Sequence, residues 1–401
     1  MNYLSKIPGI GGTIKTTPGD FLVEEIGLDG TVFELNRKFS KDNARVESGG
    51  GKYIHFILQK NNWSTSSAIS EISRRLQISQ NRFNTAGIKD KTAISVQLAS
   101  VFGVPIEKVE EIKIKDISIN GAWTAANRVR IGDLLGNRFT IRVRDCIQDS
   151  TDRSEAIMVE LNKKFPNYYG EQRFGSTRKN THLVGEKILQ KKLEDAVFMF
   201  LCDGDGEINS DSIKARKNLK ETRNFSQALK EYPNHLRLER SMIAYLERHP
   251  ENYLNALRCL PRNILLLFVH AFQSHIFNIL LSERIQDGES ELELEEGEYY
   301  CGETRGFPDI DKAEAEGWIT GKLIGYTTPT NTREKELLEK FSMSKENFKL
   351  KEIPEVASKG TYRTILSPLK DFSYQNETFR FSLGSGSYAT VALREFLDTT
   401  K

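Results

Sequence analysis

Asp90 lies between two lysines in GIKDKTAISVQ (87–97), behind a glycine and ahead of a strand-like alternation. A carboxylate presented at such a bend can act as a nucleophile or a base, and covalent catalysis divides one hard bond exchange into two easier steps. Gly87 gives the backbone freedom to present it, and Lys89 and Lys91 supply positive charge nearby. On an extended segment both lysines point away from the Asp90 face, toward phosphates or internal acids. Residue types alone also fit a solvated hairpin tip, since Asp is a common turn residue.

Other segments invite chemistry and fail on spacing. ESGGGK (47–52) has Val46 where a Walker loop needs its first glycine, and Tyr53 where it needs Ser or Thr for magnesium. GSGSYA (384–389) matches a dinucleotide fingerprint between a strand and a helix, but only twelve or so residues follow it, about a third of a βαβ unit. Its amides could still order a ligand at a helix start. DGDGEINSDSIK (203–214) has Ile208 and Lys214 where a calcium loop needs Gly and Glu, which leaves a turn. His270 and His275 are off the spacing of a helical metal pair, and no HExxH occurs. No metal site is expected.

The elements that must position Asp90 follow from periodicity. TIKTTPGDFLVEEI (13–26) predicts a strand, a Pro-Gly turn and a second strand. WSTSSAISEISRRLQI (63–78) predicts a helix with Ala68, Ile69, Ile72 and Leu76 on one face and a Ser/Thr cap. Ile94, Val96 and Leu98 predict a half-buried strand. GNRFTIRVR (136–144) alternates Phe139, Ile141 and Val143 against Arg138, Thr140, Arg142 and Arg144. A helix is expected around Glu155–Phe165, stopping at Pro166. From about Gly175 to Gly360 helical periodicity dominates, with a basic run at 214–223 and an acidic one at 289–298 that read as solvated faces. NETFRFSLGSGSYATVALREFL (376–397) returns to strand, glycine loop and helix. A mixed start, a helical middle and a mixed finish predict an insertion within one domain.

At 401 residues the chain exceeds a typical single core, and its 57 basic and 55 acidic residues leave a net charge of only +2. That balance neither demands nor excludes nucleic acid. Four scattered cysteines without a CxxC point to a reducing compartment, so a cytoplasmic protein is expected. The most apolar run, Ile264–Val269, is too short to span a bilayer and predicts a buried helix.

AGIKDKTAISVQ (86–97) and NYYGEQRFGS (167–176) together resemble the TruD family of pseudouridine synthases. TPGDFLVEEI (17–26), IHFILQKNNWST (54–65), GNRFTI (136–141), FQSHIFN (272–278) and GSYATVALRE (386–395) agree in order, so the resemblance touches both ends and the middle. It implies an α+β protein: a pseudouridine synthase fold, whose mixed, largely antiparallel sheet carries flanking helices. Residues 1–168 and 360–401 would form the catalytic domain, and 169–359 a mainly helical inserted TRUD domain. The implied reaction is isomerisation of uridine to pseudouridine in RNA, characteristically uridine 13 of tRNA, without cofactor or metal. The tRNA is then the partner, with no membrane, no obligate protein partner and a monomeric state expected.

The resemblance makes Asp90 the catalytic carboxylate. It assigns the holding of an extruded base to Phe21, Asn137 and Tyr388, puts Phe139 near that base where related synthases commonly use tyrosine, and makes Lys15 a nearby cation. Gln172 and Arg173 would order catalytic loops or touch RNA. Without it, Phe21 and Phe139 read as core residues, Asn137 as a turn residue and Tyr388 as the first turn of a helix. Arg138, Arg142 and Arg144 fit either a phosphate-contacting or a solvated strand face. His275 stands where relatives often carry an aromatic. Two competing readings are a non-catalytic RNA-binding or RNA-folding protein using the same cleft, and a nucleotide-dependent enzyme.

Overall fold

The computed structural model describes residues 1–40, 51–288 and 292–401. Most of the 47–52 glycine motif and the first three residues of the 289–298 acidic run lie outside the described residues. The chain divides into two compact units. One comprises Met1–Asn2, Tyr168–Glu303 and Phe307–Ile365; the other comprises Tyr3–Asn167, Thr304–Gly306 and Leu366–Lys401.

The second unit is built on a mixed sheet: β1 (Phe21–Ile26), β2 (Tyr53–Asn61), β3 (Phe83–Thr85), β4 (Ile94–Phe102), β5 (Ile117–Ala125), β6 (Gly136–Arg142), β7 (Lys370–Gln375) and β8 (Thr378–Gly384). The strand order is β7-β8-β6-β1-β4-β2-β5, with β3 on β4. Within it β1 runs parallel to β4, and the other pairings are antiparallel. Register fixes which side chains share a face. Phe21, Val23 and Glu25 stand beside Ile141, Phe139 and Asn137, which stand beside Phe379, Phe381 and Leu383. On the parallel side the same face continues through Ser95, Gln97, Ala99 and then Lys60, Leu58 and Phe56. Two helices pack on it. α1 (Thr65–Arg75), capped by the Ser64 hydroxyl, buries Ile69 and Ile72 against Phe56, Leu58 and Ala99. α3 (Ala389–Leu397) brings Phe396 to 5.2 Å from Phe379. The opposite face buries Ile57, Val96, Leu98 and Trp123 with Phe33 and Phe39.

Two expectations change and a third, left open, gains its partners. β4 is buried on both faces rather than half-buried, because α1 covers the side carrying Ser95 and Gln97, each 0% exposed. The predicted helix at 155–165 ends at Glu160; Asn162 and Lys163 take φ of 46° and 59°, and Lys164–Pro166 becomes a strand paired with Leu366–Pro368. The basic strand face is neutralised: Arg138 pairs with Glu24 at 2.7 Å, Arg144 with Asp20 at 2.7 Å and Arg142 with Glu377 at 3.9 Å.

The other unit is mainly helical, with a small antiparallel sheet of Tyr300–Cys301, Trp318–Leu323 and Thr361–Thr364. Its core surrounds α2 (Arg262–Gln286), whose Leu265, Phe268, Val269, Phe272 and Ile276 are buried. At 25 residues α2 runs well past the short apolar segment, through His270, Gln273 and His275. It is long and apolar enough to cross a membrane, yet most of its apolar stretch is buried within the protein, as a core helix is. His275 packs 4.6 Å from His182 and against Phe174 and Phe341. Within the basic run, Arg216 is 1% exposed and bonded to Glu239, leaving Lys214, Lys217 and Lys220 at the surface. The second half of the 203–214 segment opens the helix Ser210–Thr222, capped by Asn209.

Candidate active site

Asp90 reaches its place because four side chains hold the irregular segment between β3 and β4. Lys89 turns inward and is 6% exposed, its ammonium 2.7 Å from Glu25 and 2.6 Å from the Asn137 amide oxygen. The Lys89 backbone N–H donates to the Thr65 hydroxyl at the start of α1, and Thr65 donates to Gln97. Gln97 in turn donates to the Gly87 carbonyl. Lys60, 0% exposed at the end of β2, donates to the carbonyls of Asp90 (2.8 Å), Trp63 (2.6 Å) and Lys89 (3.4 Å). A buried ammonium bonded to three carbonyls makes charge-assisted hydrogen bonds that tie the backbone around Asp90 to the end of β2.

The Asp90 side chain stays 28% exposed, and its Oδ2 accepts from the Lys15 ammonium at 2.6 Å. Lys15 has φ of 61°, an uncommon backbone for a residue other than glycine, and also lies 4.2 Å from the centre of the Phe21 ring. Phe21 meets Phe139 edge-on at 6.1 Å, and Phe139 meets Phe381 at 5.6 Å. Lys15, Phe21, Asp90, Asn137 and Phe139 therefore gather on one face of one sheet. Phe21 and Phe139 are 3% and 7% exposed, so both belong to the core as well. Three cations (Lys15, Lys60, Lys89) face two carboxylates (Asp90, Glu25), which leaves the site locally positive.

Tyr388 is the N-cap residue of α3 and is half-buried. It follows β8 by four residues, and β8 ends with Gly384 opposite Gly136, one residue past the Leu383–Asn137 pair, so Tyr388 follows the Asn137 end of that strand. Gln172 and Arg173 lie in the helical unit, in the turn Glu171–Phe174. Arg173 there donates to Ser274 and sits 5.5 Å from the Tyr169 ring.

Sequence reasoning missed Lys60, Glu25, Thr65 and Phe381. Lys60 had a readable signal: it continues the parity of Ile54, Phe56 and Leu58, so a lysine occupies an apolar position of a strand. Burial pulls its amine from 10.5 down to about 8; the Asp90 charge opposes that fall and Lys89 adds to it. Below about pH 8 the group is protonated both folded and unfolded, so its contribution is constant. Between the two values the unfolded chain binds more protons, so stability from this group rises with pH. Relative to Lys60→Met, the wild-type unfolding free energy is expected to climb by about 2–3 kcal/mol from pH 7.5 to 10, by urea titration. A flat difference would contradict a buried ammonium.

Comparison with known proteins now separates the readings. The family model described as TruD, tRNA pseudouridine synthase D, matches residues 1–396. The probable tRNA pseudouridine synthase D of Archaeoglobus fulgidus is 37% identical over 418 residues, covering 99% of this chain and 97% of its own. That of Methanosarcina acetivorans is 34% identical over 433 residues, covering 98% and 94%. This chain belongs to the tRNA pseudouridine synthase D family. The crystal structure of a Methanosarcina mazei protein described as a tRNA pseudouridine synthase D superposes with a TM-score of 0.75 at 32% identity. That likeness covers 99% of this chain and 96% of the other, so the pseudouridine synthase D fold extends over both units. The mixed, largely antiparallel sheet with helices on its faces is the fold that membership requires.

Proposed function

We propose that the protein isomerises uridine to pseudouridine in tRNA, at uridine 13, with Asp90 as the catalytic group and no cofactor. The sheet unit is the catalytic domain and the helical unit the inserted TRUD domain. The reaction breaks the bond from ribose C1′ to uracil N1, turns the base and joins C1′ to C5. N1 gains a proton and C5 loses one, so atoms and electrons balance without an oxidant or reductant. Asp90 acts at the ribose or the base to carry the transient intermediate.

The observation that carries this reading is the geometry of Asp90: a part-exposed carboxylate, paired to Lys15 at 2.6 Å, on a backbone clamped by Lys60 and Lys89. A paired or stacked uridine is out of reach, so the base must be extruded and held by stacking and edge hydrogen bonds. Phe21 lies under the Lys15 ammonium and packs edge-on with Phe139, which supplies an aromatic floor next to the Lys15–Asp90 pair. Asn137 already accepts from Lys89 through its oxygen, so its amide donors are what it offers a uracil carbonyl. Tyr388 closes the same end of the sheet. The locally positive site suits a polyanion approaching it. The protein acts as a cytoplasmic monomer in this account.

The test is incubation of purified protein with an unmodified tRNA transcript, followed by carbodiimide treatment and primer extension. A single new stop at uridine 13 is expected. A stop elsewhere in the transcript removes the position and keeps the reaction; a folded protein that yields no stop with any uridine-bearing RNA removes both.

A further inference from the structure

We infer that Ile88 is an apolar wedge that enters the RNA stack beside the target uridine and takes the place the extruded base leaves. The inference rests on the proposed reaction and goes beyond it, because Ile88 has no part in holding Asp90 or the base. Along the segment Lys89 turns into the unit, while its neighbours Ile88 and Asp90 face outward. Ile88 is 85% exposed, an unusual state for a large aliphatic side chain two residues from a reaction centre.

A second exposed aliphatic side chain lies on a turn hydrogen-bonded to the same segment. The tight turn Arg130–Asp133, closed by the Asp133 N–H on the Arg130 carbonyl, is tied to the Ile88 segment by the Gly132 N–H on the Ala86 carbonyl at 2.9 Å. That turn presents Ile131, which is 93% exposed. Lys91, Arg128 and Arg130, within three residues of Ile88 or Ile131 in the chain, are exposed as well. Asp133, half-buried, spends one carboxylate oxygen on the Arg130 N–H within the turn.

Exposed apolar side chains with exposed cations close by in the chain match the chemistry of an unstacked nucleic-acid step. Cations meet the phosphates, and the aliphatic wedge covers base faces that extrusion strips of their neighbour. A protein partner would meet the same cations with acids, whereas RNA supplies both the charge and the flat apolar faces. Because unstacking costs more for a stacked target than for an already free one, the wedge should matter only where stacking must be broken.

The experiment compares wild type, Ile88→Ala and Ile88→Leu on two RNAs: the tRNA transcript that wild type modifies, and a short RNA with the same target between two abasic riboses. On the folded tRNA, Ile88→Ala is expected to lose at least about tenfold in kcat/KM and Ile88→Leu no more than about threefold. On the abasic-flanked RNA the three proteins are expected to agree within about twofold. With 2-aminopurine placed 3′ of the target in the tRNA, the fluorescence rise that reports unstacking should slow in Ile88→Ala together with turnover. Equal turnover of Ile88→Ala and wild type on the tRNA overturns the wedge, as does an equal loss on both RNAs. If Ile88→Ala keeps its turnover and disperses a self-associated form seen by sedimentation, the apolar pair serves a second copy and the wedge is again overturned. A wild-type protein inactive on every transcript rejects instead the reaction on which the wedge rests.

Discussion

Asp90→Asn is expected to abolish turnover, by more than about 10³-fold, while RNA affinity stays within about tenfold, or ~1.4 kcal/mol. The two halves of this result have separate causes. Asparagine keeps the shape and an oxygen that can accept from Lys15, so the 2.6 Å contact to Lys15 has a successor and the clamp by Lys60 is untouched. What it loses is the negative charge that must attack or take a proton. Affinity for RNA comes mostly from phosphate contacts, and those depend on the surface cations rather than on Asp90. Single-turnover assays and filter binding on the same preparation read both quantities. A non-catalytic RNA-binding protein predicts the opposite pattern: Asp90→Asn would behave as wild type in a deletion strain. Loss of affinity in step with loss of turnover would mean that the substitution had disturbed the loop rather than the chemistry.

Glu25→Gln is expected to destabilise the sheet unit by about 3–5 kcal/mol, because it leaves the buried Lys89 ammonium without its counter-charge. Glu25 is 0% exposed and Lys89 6%, so neither charge can turn to water in place. Glutamine retains an oxygen for the Leu98 backbone N–H, which Glu25 Oε1 now serves at 3.0 Å, so the change isolates charge from shape. The double replacement Glu25→Gln with Lys89→Met should recover most of the stability, since it removes both buried charges together and keeps the acceptor for the Leu98 N–H. It should not recover activity, because Lys89 also holds the Asn137 oxygen at 2.6 Å and the approach to Asp90. Urea unfolding of the three proteins measures the first statement and turnover the second. A Glu25→Gln variant as stable as wild type would mean that water reaches the pair.

Much of the site was legible because it depends on local rules. The parity of GNRFTI put Phe139 and Ile141 on one face, and Asn137 shares it; that face carries the candidate site proposed above. The capped helix at 65–75 and the strand following Asp90 were visible in period and cap chemistry. Alternation around Asp90 left either phosphates or internal acids as the partners of its flanking lysines, and for Lys89 the partner is the internal acid Glu25.

What was missed came from partners far away in the chain. The arginines of 138–144 look like a basic strip until Asp20 and Glu24, from one remote segment, and Glu377, from another, are folded against them. Lys164–Pro166 has no strand period of its own and pairs only because Leu366–Pro368 arrives some two hundred residues later. Glu24 and Glu25 are neighbours in a short strand, and nothing local tells that Glu25 meets a lysine while Glu24 meets Arg138. Both faces of that strand are covered, so even an adjacent pair of acids can be buried once each finds its cation. The assignment of Phe21 and Tyr388 depended on resemblance, since neither parity nor spacing distinguishes a core ring from one that meets a base.

The most direct measurement is a crystal structure of the Asp90→Asn protein bound to its tRNA. One uridine should lie outside the helical stack with its ribose within about 3.5 Å of residue 90 and its ring edge at Asn137, beside Phe139. Finding every uridine stacked, or the extruded one bound on the opposite face of the sheet near Arg138, would contradict the placement of the chemistry at Asp90.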